Sequence, residues 1–277
     1  MYKISVIVLK VSTITFAIIG LFLVSGYFAT KFGLTNTEGT IDTQRETFLG
    51  ETLTKEKTTT YTKFPLAHTP EWISFRIAVA KDEKILRDVS KKTGVPERIL
   101  IAILVPEQMR LFYSNRDLFK QVFSPLKILG SQSQFSWGIF GIKDETARSI
   151  EKHLLDSSSP FYLGRSFETM LHFTTNNPDE ERFSRITAED DHTYGYLYTA
   201  LYVAQIQSQW KKAGHPISDR PDIVATLWNL GFEKSKPNAN PKGGGSELEI
   251  SGTSYSFGKL ANDFYFSDEM IELFPRK

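Results

Sequence analysis

The chain has 277 residues, 40% of them hydrophobic, with 33 Lys and Arg against 32 Asp and Glu and no cysteine. A formal net charge of +1 provides no positive field for a phosphate backbone, which argues against nucleic acid as a partner. The lack of cysteine excludes disulfides, thiolate metal sites and a cysteine nucleophile. Because the five histidines form no metal-binding pair, we expect no metal and no other cofactor.

Residues 1–30 form the first predicted element, a helix that directs the chain to a membrane. Val11–Phe28 provides 18 residues without a charge, at the lower limit for crossing a bilayer. Lys3 and Lys10 precede this run and Lys31 follows it, so the positive-inside rule places the N-terminus in the cytoplasm and the rest outside. A cleavable signal peptide explains the same pattern. Both alternatives predict a bacterial envelope protein, periplasmic or secreted, and an uncleaved helix makes the inner membrane a partner.

A flexible tether is predicted over 31–70. Eleven of the 28 residues from Thr35 to Thr62 are threonine, and few large apolar groups interrupt them. Such a segment buries too little surface to offset the entropy lost on ordering. Order is expected from about Trp72, and residues 71–277 are assigned to one domain.

This domain is predicted to be mainly α, with a small loop or hairpin region. Apolar residues at helical spacing, together with caps and glycine or proline stops, indicate its helices. They run from Asp82 to Gly94, Glu97 to about Arg110, Asp144 to about Leu155, Tyr194 to Trp210 and Asp222 to Trp228. Turn-forming residues indicate a loop or hairpin at 130–143, an inserted lobe or flap at 157–193 and a flexible loop at 236–254.

Glu107 is the candidate catalytic residue because it lies in the most apolar helix of the chain. Its neighbours one turn away include Ile103 and Leu111, and burial of a carboxyl group favours its neutral form. A carboxylic acid that stays protonated near neutral pH is what a glycosidase uses to protonate the leaving oxygen. The alternative is a structural glutamate that reaches solvent or pairs with Arg110. Pro106, directly before it, predicts a kink or restart of the helix.

Two further motifs follow Glu107-Gln108 in the chain. A glycine-containing turn, Gly138-Ile139-Phe140-Gly141-Ile142, leads into a helix, and Leu227-Trp228-Asn229-Leu230-Gly231 ends a later one. This order resembles the lysozyme-like superfamily, in particular the soluble lytic transglycosylases and goose-type lysozymes, over roughly residues 82–265. Those families carry a catalytic glutamate, then a Gly-x-x-Gln turn, then an Ala-Tyr-Asn-x-Gly motif.

The resemblance implies that Glu107 alone acts as acid and base on peptidoglycan glycan strands. The bond cleaved is the β-1,4 bond between N-acetylmuramic acid and N-acetylglucosamine. Asn229 is expected to hold the N-acetyl group or, alternatively, to make a local turn bond. Tyr198 and Tyr202 are expected to face the core with their hydroxyls at the groove edge. The other substrate-binding residues expected along this groove are Gln108, Ser136, Gly138, Phe140, Gly141, Trp228 and Tyr255.

The chain departs from the family pattern at several positions. Gly141 stands where the family usually has glutamine, Trp228 replaces the common tyrosine, and Tyr255 is the best counterpart of the closing tyrosine. No acidic residue lies between Asp117 and Asp144, where goose-type lysozymes hold assisting aspartates, which favours the transglycosylase reaction over hydrolysis. The alternatives are a hydrolytic goose-type-like lysozyme, and a non-catalytic glycan-binding or envelope-machine protein of the same fold.

Overall fold

The computed structural model describes residues 64–113, 138–188 and 191–276, and within these ranges the chain is mainly helical with one small sheet. This confirms the expected class of secondary structure. The predicted export helix at 1–30 and most of the predicted tether lie outside the described residues. Inside the described ranges, no helix has the length and apolar character that a membrane crossing needs.

Eight α-helices and a two-stranded sheet form the described part of the chain. The helices are α1 (Pro70–Lys81), α2 (Glu83–Thr93), α3 (Glu97–Tyr113), α4 (Asp144–Leu155), α5 (Pro178–Thr187), α6 (Thr193–Lys212), α7 (Pro221–Leu230) and α8 (Phe257–Phe266). Strands β1 (Glu247–Ile250) and β2 (Thr253–Ser256) pair in antiparallel register, with Leu248 opposite Tyr255.

Local capping defines the first two helices. Thr69 Oγ1 accepts a hydrogen bond from the backbone amide of Trp72 (3.2 Å), and Pro70 occupies the first turn, where no intrahelical bond is lost. Helix α2 ends at Gly94, whose φ of 76° is a left-handed conformation that glycine adopts without strain. The predicted extent of α2 is therefore confirmed.

Helix α3 forms the buried centre of the molecule. Every residue from 99 to 105 is at most 2% exposed. The helix continues through Pro106 to Tyr113, so the predicted restart at Pro106 does not occur. Proline removes a backbone donor and crowds the preceding turn, and the close packing of α3 against α8, β1 and α1 outweighs that cost.

The end of the predicted tether packs into the core. Phe64 and Leu66 are each 3% exposed. The ring of Phe64 lies 4.4 Å from that of Trp72, centroid to centroid, and 6.0 Å from that of Phe264 in α8. The tether prediction is thus wrong for its last residues, because two large apolar side chains provide enough buried surface to order them.

The predicted flexible loop at 236–254 contains the β1–β2 hairpin instead. Its turn residues, Ser251 and Gly252, have φ values of 52° and 79°. Positive φ at both central residues is typical of a two-residue hairpin turn whose twist matches that of the strands. Leu248 and Ile250 then point to the buried face and Glu249 to solvent.

A buried arginine fixes α5, the helix within the predicted lobe at 157–193. Arg182 is 3% exposed and donates to both carboxylate oxygens of Glu151 in α4 at 2.6 Å. It also donates to Asp179 at 2.9 Å. Glu151 accepts a further hydrogen bond from the Tyr198 hydroxyl of α6 (2.6 Å). The lobe is therefore ion-paired to α4, and the same Glu151 carboxylate joins α4 to α6.

Candidate functional site

Glu107 lies about two thirds of the way along α3, and only 4% of its surface is exposed. Its carboxylate forms an ion pair with the guanidinium of Arg110, about one turn further along the same helix. No other group in the described part of the chain donates a hydrogen bond to this carboxylate. The ion pair offsets the desolvation that a lone buried carboxylate would incur. The structure therefore contains the Glu107–Arg110 pair that the sequence left as an alternative.

The glycine-containing turn contacts the residue that follows the buried glutamate. Gln108 Nε2 donates to the carbonyl oxygen of Ile139. The turn is closed by a hydrogen bond from the Gly141 amide to the Gly138 carbonyl oxygen (3.2 Å), and φ is 65° at Gly138 and 60° at Gly141. A Cβ atom at Gly138 would collide with the carbonyl oxygen of Ile186. The left-handed backbone at Gly141 favours glycine over the glutamine of the family pattern.

An aromatic cluster joins this turn to α6 and α7. Phe140 is 1% exposed, and its ring packs edge-on against Tyr196 (centroids 5.2 Å apart) and Trp228 (6.1 Å). Tyr202 packs edge-on against Trp228 in turn, at 4.9 Å. Contacts of this geometry stabilise beyond the area that they bury. The three sequence motifs, on α3, in the turn and at the end of α7, are thus linked by direct contacts.

The side-chain oxygen of Asn229 is hydrogen-bonded within the protein, whereas its Nδ2 donor is not used by the described residues. Its Oδ1 accepts a hydrogen bond from the backbone amide of Ser246 at 2.7 Å. A Cβ atom at Gly245 would lie only 2.9 Å from this oxygen, so glycine leaves the space for that bond. The Nδ2 group of Asn229 donates to none of the described residues. It is the side of the amide that is available to a ligand.

The segment before β1 was not predicted to belong to the site. Thr226 Oγ1 accepts a hydrogen bond from the amide of Gly244 at 2.8 Å, which holds this segment against α7. Lys242 Nζ and Ser246 Oγ are buried and have no hydrogen-bond partner in the described part of the chain. The glycine run 243–245 was the available signal, because glycine marks close backbone approach as well as flexibility.

Tyr198 and Tyr202 do not reach a groove. They are 0% and 1% exposed. The Tyr198 hydroxyl donates to Glu151 (2.6 Å) and that of Tyr202 to the carbonyl oxygen of Leu227 (2.8 Å). Burial raises the pKa of both phenols well above the usual range, and the Glu151 carboxylate adds to this for Tyr198. The prediction of hydroxyls at the groove edge is therefore wrong, since both are used to join α6 to its neighbours.

The remaining predicted groove residues are placed differently from one another. Ser136 lies outside the described residues. Tyr255 is partly buried in β2, and the side chain of Phe140 belongs to the core. The backbone of Phe140 is the part of this residue that remains available to a groove.

Comparisons with protein-family models, with curated proteins and with solved structures find no match for this chain. The lysozyme-like resemblance therefore stays a prediction that depends on the three motifs and on their contacts. Within residues 64–113, 138–188 and 191–276, no group of three or more His, Asp or Glu side chains is arranged to hold a metal ion.

Proposed function

We propose that the chain is a peptidoglycan lytic transglycosylase with a lysozyme-like helical domain. The observation that carries the proposal is the placement of Glu107, a buried carboxyl group in an apolar helix. The next residue, Gln108, bonds to the glycine-containing turn, and that turn contacts Trp228, the neighbour of Asn229. The motifs behind the resemblance thus adjoin one another, as a single glycan-cleaving site requires.

In the proposed reaction, protonated Glu107 donates its proton to the glycosidic oxygen as the bond from that oxygen to muramic acid C1 breaks. The carbonyl oxygen of the substrate's own N-acetyl group stabilises the positive charge at C1. The Glu107 carboxylate then takes the proton of the C6 hydroxyl, whose oxygen bonds to C1. This step gives the 1,6-anhydro product and restores the acid without water or a second carboxylate.

Asn229 positions the N-acetyl group in this scheme. Its Oδ1 is held by the Ser246 amide, which fixes the orientation of the side chain. Its Nδ2 group can then donate to the acetamide oxygen of the sugar. A donor whose direction is already fixed loses little entropy when it binds.

A second function, glycan binding without cleavage, is favoured by the ion pair at Glu107. The guanidinium of Arg110 occupies the Glu107 carboxylate, and a carboxylate held in this way is not free to reach a glycosidic oxygen. Gly141 in place of the family's glutamine also removes one polar contact. A binding protein of this kind would retain walls without releasing soluble fragments.

The proposed location is the bacterial cell envelope, where peptidoglycan strands are the partner. Residues 1–30 would export the domain, as an inner-membrane anchor or as a cleaved signal peptide. The Thr-rich segment that follows would allow the domain to contact peptidoglycan at a distance from the membrane. Antibody detection of the full and shortened chain in membrane and soluble fractions separates the two alternatives.

The decisive experiment is turbidity clearing of purified cell walls by the wild type, by Glu107→Gln and by Glu145→Gln. Glu145 is an exposed glutamate on α4 and provides a matched control for the change. We expect Glu107→Gln to lose clearing by about a thousandfold or more while it still binds walls, because it lacks the acid. Retained clearing by Glu107→Gln removes the assignment.

Mass spectrometry of the released fragments identifies the reaction. Anhydro ends identify a transglycosylase and reducing ends a hydrolase. Wall binding by the wild type with no released fragment favours the non-catalytic function.

A further inference from the structure

Arg110 presents an unfilled hydrogen-bonding edge beside the proposed acid. Its Nη2 group is ion-paired with Glu107, whereas its Nε group is buried and has no acceptor in the described part of the chain. The Nε–Nη2 edge of a guanidinium binds a carboxylate through two parallel hydrogen bonds. In this structure, one half of that edge is used by Glu107 and the other half is unsatisfied.

The two members of the pair differ in their access to solvent. The side chain of Arg110 is 21% exposed and that of Glu107 is 5% exposed. Rotation about the torsions of the longer side chain can therefore bring the guanidinium to a ligand, while the carboxylate stays buried. Arginine is the member of the pair that can move.

Charged groups on the elements around α3 do not compete for this pair. Glu71 of α1 accepts from Tyr113, Asp222 of α7 pairs with Arg220, and Asp263 of α8 pairs with Lys259. The Lys242 ammonium before β1 has no partner in the described part of the chain. The charged groups on α2 and β1 also make no ion pair with either residue within the described ranges; they are Glu83, Lys84, Arg87, Asp88, Lys91, Lys92, Glu247 and Glu249.

We propose that Arg110 is a positioning residue that exchanges Glu107 for a carboxylate of the substrate. The inference rests on the proposed function. When a substrate carboxylate occupies the Nε–Nη2 edge, the Glu107 carboxyl group is released from the guanidinium and is free to face the glycosidic oxygen. Arg110 thereby selects glycans that bear a free carboxylate, such as the lactyl group of muramic acid without its peptide.

The test compares the wild type with Arg110→Gln and Arg110→Lys on soluble glycan strands freed of peptide. We expect Arg110→Gln to lower kcat/KM on these strands about tenfold or more, because the substrate carboxylate loses its partner. Arg110→Lys should recover part of this loss, since it keeps the charge.

A second arm tests the carboxylate. The same strands, with their carboxylates converted to amides, should be cleaved about tenfold or more slowly by the wild type and equally well by Arg110→Gln. Arg110→Lys should lose most of the preference for free carboxylates, since it keeps the charge but lacks the two parallel donors of the guanidinium. Arg87→Gln, at an exposed pair with Glu83, is the control and should behave as the wild type.

The outcomes separate this inference from the proposed function. If Glu107→Gln is inactive and Arg110→Gln keeps the wild-type kcat/KM and preference for free carboxylates, Arg110 has no positioning role and the transglycosylase assignment stands. Absence of cleavage by the wild type overturns both. If Arg110→Gln fails to fold by circular dichroism, Arg110→Lys decides, because a purely structural arginine predicts an unchanged preference for carboxylates.

Discussion

The guanidinium of Arg98 donates a hydrogen bond of 2.6 Å to the backbone carbonyl oxygen of Ser267. The same side chain is fully buried near the start of α3 and also binds four other carbonyl oxygens between residues 264 and 274. Burial, together with the nearby Arg276, lowers the pKa of Arg98 to about 10, so the group remains charged at neutral pH. One cation thus attaches the C-terminal segment to the helix that carries Glu107.

We expect Arg98→Met to lower the free energy of unfolding by about 3 kcal/mol or more, because several buried carbonyl groups lose their donor. Urea denaturation followed by circular dichroism measures the change. Arg87→Met is the matched control: its half-exposed side chain donates to the Leu273 carbonyl and pairs with Glu83, and its loss should cost about 1 kcal/mol or less. Equal losses in the two variants would contradict a special role for Arg98.

The sequence predicted the helices whose ends are set locally. The end of α2 depends on the left-handed backbone of Gly94, and the start of α4 has acidic residues in its first turn. Asp82 precedes α2 without capping it, since its carboxylate contacts His192 and accepts a hydrogen bond from the Tyr196 hydroxyl. Helix α1 was missed because its apolar residues form no single stripe. Ile73 and Ile77 are half exposed or more, while Trp72 is buried.

The site could be predicted only where its contacts are local. The Glu107–Arg110 pair follows from a spacing of three residues in a helix. The bond between Asn229 and Ser246 depends instead on how the segment before β1 folds back onto α7. No periodicity or spacing in the sequence predicts this contact. The glycine-rich segment was therefore interpreted as a flexible loop, and its hydrogen bond to Asn229 was not predicted.

Glu181 provides a test of acid stability. Partial desolvation raises its pKa, but hydrogen bonds from the amides and hydroxyls of Thr174 and Thr175 outweigh this and lower the pKa to about 2. A carboxyl group whose pKa is lower in the folded state stabilises the fold above its unfolded pKa, and this contribution is lost as the pH falls through the folded value. We therefore expect the wild type to exceed Glu181→Gln in Tm by a constant amount above about pH 5.

That Tm difference should shrink from about pH 4.5 towards pH 2. Differential scanning calorimetry at a series of pH values provides the measurement. Glu180→Gln, at a neighbouring exposed glutamate of the same helix, removes the same charge and is the control. A difference for Glu181→Gln that does not change with pH would exclude a role for its ionised form.

Gly138→Ala tests the backbone of the turn beside Gln108. The new Cβ atom would meet the Ile186 carbonyl oxygen, and φ at this position is 65°. Gly94→Ala is the control, since its φ of 76° is also left-handed but no atom lies within 4 Å of the added Cβ. We expect Gly94→Ala to cost about 1 kcal/mol and Gly138→Ala about 1–3 kcal/mol more, measured by urea denaturation. Similar costs in both would mean that the contact with α5 relaxes freely.

Asn229→Asp and Asn229→Ala separate the two sides of the amide. Aspartate keeps an acceptor for the Ser246 amide but removes the Nδ2 donor, whereas alanine removes both. We expect Asn229→Asp to retain its stability to within about 0.5 kcal/mol, and Asn229→Ala to lose about 1–2 kcal/mol. Both should bind purified walls about tenfold or more weakly, because a donor to the acetamide oxygen is missing.

Co-sedimentation with walls measures the affinity, and Asn240→Asp, in the exposed part of the same segment, controls for the added negative charge. If Asn229→Asp binds walls as tightly as the wild type, the Nδ2 group does not contact the glycan, and the bond to Ser246 is the whole function of this side chain. If its stability also falls as far as that of Asn229→Ala, an aspartate oxygen does not replace the amide oxygen. The contact with the segment before β1 then depends on the neutral amide itself.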